Sequence, residues 1–181
     1  MTLKAVWLAL VLLCALGGSA VAKVFYAQDE ALAVAFPEAD AIDRRTFVLT
    51  DAQAKQIEAL ARARLESRVV TVFIGKQQGT VLGFALIDIH VVRTQPEAVM
   101  VVLSADGQVG STIILAFHEP LDYLPANRWL KQFENRTLTP DLSVGQGIAA
   151  ITGSTLSANG VTDSARRALA IYQVMLGRKT R

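Results

Sequence analysis

The chain has 181 residues, 52% of them hydrophobic, with 18 Lys and Arg against 16 Asp and Glu. That length and apolar fraction supply the core of one domain, and so even a charge balance excludes a nucleic-acid or polyanion binder that works through a basic surface. The single cysteine, Cys14, excludes an intramolecular disulfide and a thiolate metal site, and no HExxH, CxxC, phosphate-loop pattern or internal repeat occurs.

At the N-terminus, Lys4, the apolar run Ala5 to Leu16, Gly17-Gly18-Ser19 and the small triplet Ala20-Val21-Ala22 form the charged, apolar and cleavage regions of a secretory signal peptide. The run also extends through the glycines to Ala22, which keeps an uncleaved membrane anchor open. Either reading divides the chain into residues 1–22, a signal or anchor, and 23–181, one domain outside the cytoplasm. Nothing after residue 22 is apolar enough to cross a membrane.

The stretches "FPEAD" and "DRRTFVLT" read as a surface segment leading into a helix. Thr50 to Gln53 has the form of a capping box, and Ile57, Leu60, Ala61 and Leu65 recur at helical spacing, which predicts an amphipathic helix from Asp51 to Ser67. Arg62, Arg64 and Arg68 then belong to its solvated face.

From Val69 to Phe117 the period falls to two. The runs "VVTVFIG", "TVLGFALIDIHVV", "EAVMVVLS" and "QVGSTIILAF", separated by "KQQG" and Asp106-Gly107 turns, predict an antiparallel meander of about four strands. With the N-terminal helix and a C-terminal one, this gives an α+β fold. Along the second strand Val81, Ala85, Ile87, Ile89 and Val91 share one face, and Leu82, Phe84, Leu86, Asp88 and His90 the other. Residues two apart on a strand stand side by side and no third ligand is evident, so Asp88 and His90 are expected on an exposed strand end rather than at a metal site.

After the last strand, "FHEPLDYLP" and the helical "ANRWLKQF" gather Phe117, Tyr123, Trp129 and Phe133 around Glu119. These aromatics either wall a pocket for a planar ligand or dock the short helix on the core. Next comes the hydroxyl-rich loop "AAITGSTLSANGV". From Ser157 onward, Val161, Ala165, Ala168, Leu169, Tyr172, Met175 and Leu176 mark the closing helix, with Ser157 or Thr162 as its cap. A helix start offers unpaired amides and partial positive charge, and Gly153 lets the backbone come close or take a positive φ, a combination that suits a phosphate.

The run Ile151-Thr152-Gly153-Ser154-Thr155-Leu156-Ser157, followed by Val161-Thr162-Asp163-Ser164-Ala165-Arg166-Arg167, resembles the signature of FMN-binding-domain proteins. These are relatives of the flavinylated subunits of the Rnf complex and of the sodium-pumping NADH:quinone reductase. Glu119 in "HEP" and the helix carrying Trp129 and Phe133 follow the family order. Ser154 stands where the family carries alanine, and Ala149 where an acidic residue precedes the acceptor. The resemblance implies FMN as cofactor, joined through a phosphoester to Thr155 by a flavin transferase. It implies further that Thr152, Gly153, Ser154, Leu156 and Ser157 shape the phosphate seat, and that Glu119, Tyr123 and Trp129 lie beside the isoalloxazine ring. The function so implied is electron transfer with a membrane-bound or extracytoplasmic redox partner. No general base, nucleophile or nicotinamide fingerprint points to a substrate-converting enzyme. Alternatives are an extracytoplasmic flavin-dependent reductase of a small acceptor and a flavin-loaded sensory or assembly module.

Overall fold

A computed structural model describes residues 23–177. The signal or anchor reading, and Cys14 with it, falls on residues 1–22 and so lies outside the described residues. The elements in chain order are β1 (Lys23–Val24), α1 (Gln28–Ala35), β2 (Ala41–Val48), α2 (Asp51–Ala61), β3 (Val69–Gln77), β4 (Thr80–Val92), β5 (Gln95–Ser104) and β6 (Val109–Phe117). Short turns of helix follow, among them α3 (Asn127–Leu130), before the long α4 (Thr155–Ile171). The fold is α+β as expected, but the sheet has six antiparallel strands, in the order β1-β6-β5-β4-β3-β2, where about four were expected. The added strands lie at the two edges. β2 replaces the expected surface segment: its Ile42, Arg44, Arg45, Thr46 and Val48 are exposed, because an edge strand lacks the burial that gives central strands their apolar pattern.

The β3–β6 meander falls where the turn residues put it. Gln78 and Gly79 take positive φ between β3 and β4, as does Gly107 between β5 and β6. One expected face assignment is reversed at the start of β4. The register shifts at Gly75/Lys76, so that Gly75 pairs with Gly83 but Lys76 with Val81. Leu82 is the extra residue of this bulge; it sits near Phe36, while Val81 packs with the Phe84 and Leu86 side.

The sheet is covered on both faces. α1 lays Leu32 and Phe36 on Phe73, Ala85, Met100 and Val102. On the other face α2 and α4 bury Ile57, Val161, Ala165 and Leu169 against Val72, Leu86, Val99 and Val101. The Thr50 capping box forms as expected: Gln53 N–H donates to Thr50 Oγ1 at 3.2 Å and Thr50 N–H to Gln53 Oε1 at 2.9 Å. The helix stops at Ala61, short of Ser67, because Arg62 turns left-handed (φ 53°). The terminal carbonyls of Leu60 and Ala61 then accept from the buried Arg166 guanidinium of α4, which also reaches the carbonyls of Thr139 and Leu142. A tertiary hydrogen-bond set thus ends α2 before its apolar pattern does.

Candidate functional site

Gly153 adopts φ +82°, with nothing within 4 Å of the place a β-carbon would occupy, and the chain then enters α4 at Thr155. The helix therefore begins two residues before the expected Ser157. Ser157 is not its cap: it lies in the first turn, 2% exposed and packed inward. Thr162 is no cap either, since its hydroxyl donates to the Ala158 carbonyl at 2.7 Å in mid-helix. The N-cap residue is Ser154, and its side chain makes no capping bond; its hydroxyl turns instead to the Asp122 carbonyl at 3.4 Å. The amides of Thr155, Leu156 and Ser157 thus have neither an intrahelical acceptor nor a side-chain cap. Thr152, Thr155 and Leu156 are exposed around them. An exposed hydroxyl on an uncapped helix head, beside a glycine with open space, is a seat that fits a phosphate ester.

The other expected site residues divide into two groups. Tyr123 is half-buried, with the Arg93 guanidinium 5.1 Å over its ring, and buried Glu119 accepts a long hydrogen bond (3.4 Å) from the Thr94 amide. Both therefore meet the β4–β5 turn, and the Ser154 to Asp122 bond draws the Tyr123 segment to the head of α4. Trp129 lies farther back, in the core, edge-on to Phe133 at 5.4 Å. Its indole N–H donates to the Ala149 carbonyl at 2.7 Å, while the Ala149 amide donates to Gln132 Oε1 at 2.8 Å, so α3 and the turn after it hold the segment leading into the loop. Trp129, Leu130 and Phe133 do dock the short helix on the core.

Between the head of α4 and the end of β4 a cleft of about 190 Å³ opens, lined among others by His90, Arg93, Leu156, Asn159 and Gly160. Its floor corrects the expectation of an exposed strand end. α4 crosses directly over Asp88 and His90, leaving His90 6% exposed. Asp88 accepts a two-pronged contact from Arg167 (2.6 and 3.0 Å), a hydrogen bond from Ser164 (2.6 Å) and one shared with His90 Nδ1 at 3.1 Å. Across the ladder His90 faces Glu97, with Nε2 3.4 Å from Oε2.

Burial would raise Asp88, but its bonds with His90, Arg167 and Ser164 hold it well below the usual carboxylate range. Burial would depress His90, yet the bond with Asp88, the close contact with Glu97 and the charges of both outweigh it and carry the imidazole up to about 9. Glu97 is pushed up by burial, which His90 offsets only in part. Sequence reading missed this cluster. A signal existed in the lone Glu97, which alternation sets on the same face as Val99 and Val101 and pairs with His90. Among the described residues no group of three or more His, Cys, Asp or Glu is placed to hold a metal ion.

No protein-family model matches the chain. It is similar to a subunit of the Na(+)-translocating ferredoxin:NAD(+) oxidoreductase complex of Acetobacterium woodii, with 30% identity over 140 residues. The match covers 66% of this chain and 65% of that protein, so the chain spans just under two thirds of its relative's length. The loop that resembles the flavinylation signature thus stands in a chain similar to one subunit of that complex.

Proposed function

We propose that this protein is an extracytoplasmic FMN-binding electron carrier, with the FMN phosphate esterified to Thr155 and residues 23–181 forming one cofactor-bearing domain. The observation that carries the reading is the exposed Thr155 hydroxyl at an uncapped helix head, inside the loop that resembles the flavinylation signature. A phosphate there is favoured by the three free amides and the helix dipole. FMN supplies exchange between electron pairs and single electrons; the protein supplies its position and electrostatics. Thr155 anchors the phosphate, Gly153 opens the approach, and Arg93 and Tyr123 form a cationic and aromatic flank for the rest of the cofactor. Similarity to one component of a sodium-translocating complex supports membrane-bound redox partners, and the loop resemblance implies a flavin transferase that attaches the cofactor. Among the described residues no helix is long and apolar enough to cross a membrane. The charged, apolar and small-residue pattern of residues 1–22 supports export or a membrane anchor.

Co-expression with a flavin transferase tests the reading by intact mass. The expected gain is one FMN less one water, abolished in Thr155→Ala and kept in Ser157→Ala. A protein that binds FMN but releases it all on denaturation would show that Ala149 withholds the transferase signal. A protein that neither binds nor gains FMN refutes the flavin reading.

A further inference from the structure

Beneath the cleft lies a pair of groups with unused hydrogen-bonding capacity. Glu97 is 1% exposed, and neither carboxylate oxygen has a hydrogen-bond partner among the described residues. Its nearest polar neighbour is His90 Nε2 at 3.4 Å, which has no other partner among them. On its far side His90 meets Asp88, whose charge is already matched by Arg167. Asp88 and Arg167 therefore balance each other, and His90 with Glu97 remains as a buried pair holding bare lone pairs, an arrangement that is costly unless protons settle on it.

The remaining charged groups that face the pair are few. α4 contributes Asp163 beside Arg167, the cleft rim adds Glu66 and Arg93, and β6 sets the apolar Phe117 opposite Glu97. The pair meets solvent at the cleft, through His90. The main chain of Gly160 rests on His90, and Leu156, next to Thr155, lines the same cleft. Gly160 stands five positions after Thr155, a rise of about 7.5 Å along the helix.

We propose that His90 and Glu97 form a proton-holding site coupled by charge to a redox cofactor carried at Thr155, taking up one proton when the cofactor is reduced and releasing it on reoxidation. The inference rests on the flavin reading above. The electrons come from the redox partner and the proton from water in the cleft. One O–H bond forms on Glu97, His90 keeps its own proton, and no other bond changes. Negative charge arriving on a cofactor held at Thr155 is what draws the proton in. Burial has already raised Glu97 above the ordinary value of 4.5, so the added charge acts on a group that is ready to respond. Both residues act as positioning residues through their charge, and neither has to touch the ring.

The test uses the full chain loaded with FMN, with loading measured first by absorbance. Midpoint potentials are followed from about pH 5 to about pH 9 in wild type, Glu97→Gln and His90→Gln. Wild type should show, within the pair's titration window, an extra slope of about 30 mV per pH unit, one proton for two electrons, that both variants lack. In wild type, the NMR titration midpoint of the His90 ring should move upward on reduction. Loaded variants with the wild-type slope, or a His90 midpoint equal in both redox states, overturn the inference and leave the flavin reading standing. If the variants fail to fold, the wild-type NMR comparison decides alone. A chain that takes up no FMN overturns the flavin reading, and this inference with it.

Discussion

Gly160→Ala is the substitution for which helix propensity and packing predict opposite signs. In an open helix interior the change stabilises by about 1 kcal/mol. Here the new methyl would land on His90 Nε2, 3.2 Å from its Cδ2 and 3.3 Å from Val92 Cγ2. The imidazole cannot swing aside freely, since Nδ1 is held by Asp88 at 3.1 Å and Nε2 faces the Glu97 carboxylate at 3.4 Å. Overpacking costs about 1–3 kcal/mol, and loss of a charged contact about 1.5–3. After the propensity gain the net loss is about 1.5–5 kcal/mol, and at about 2–4 °C per kcal/mol the melting temperature should fall by about 3–20 °C. Thermal unfolding followed by circular dichroism measures it, with Asn159→Ala, an exposed neighbour on the same helix, as the control expected to be neutral or slightly stabilising. In a His90→Ala background the same glycine change should instead stabilise by about 1 kcal/mol. A Gly160→Ala protein that melts at or above wild type, or one equally destabilised without His90, refutes the account of the helix crossing.

The same cluster predicts a pH profile. Because the folded state raises His90 from 6.5 to about 9, its contribution is fully present below pH 6.5 and is lost as pH rises toward 9. The loss is on the order of 3 kcal/mol and should appear in urea midpoints; Glu97→Gln should shrink it. Asp88 is shifted the other way, so its contribution is present above 3.8 and disappears as the pH falls below that value. A wild-type urea midpoint unchanged between neutral and alkaline pH would contradict the His90 assignment. Arg166→Met keeps much of the side chain's bulk but strands the carbonyls of Leu60, Ala61, Thr139 and Leu142, and should cost at least about 3 kcal/mol in urea unfolding. A loss below about 1 kcal/mol would show that water replaces the guanidinium there.

What the sequence reveals of this fold depends on whether a residue's neighbours are local. The β3–β6 meander is legible because its turns carry residues that tolerate positive φ and its strands alternate. β2 is not, since an exposed edge strand such as "AIDRRTFV" has the composition of a loop and is held by pairing with β3. Likewise the end of α2 is set by Arg166, more than 100 residues away, and not by its own apolar period. The loop before α4 shows the same division. Its glycine and hydroxyls mark a helix entrance, but the rule that favours Ser at a helix cap selects Ser157, whereas packing against the sheet pulls Ser157 inside and starts the helix at Thr155. Asp88 and His90 mislead for a related reason. Two polar residues at alternate positions near a strand end look solvent-facing until α4 arrives from more than 70 residues downstream, with Ser164 and Arg167 to pair with Asp88 and Gly160 bare enough to let His90 lie beneath it. The helix that carries Thr155 at its first residue is therefore the element that conceals the cluster, through Gly160, Ser164 and Arg167 between one and four turns later. A single helix is thus the structural link between Thr155 and the buried His90–Glu97 pair.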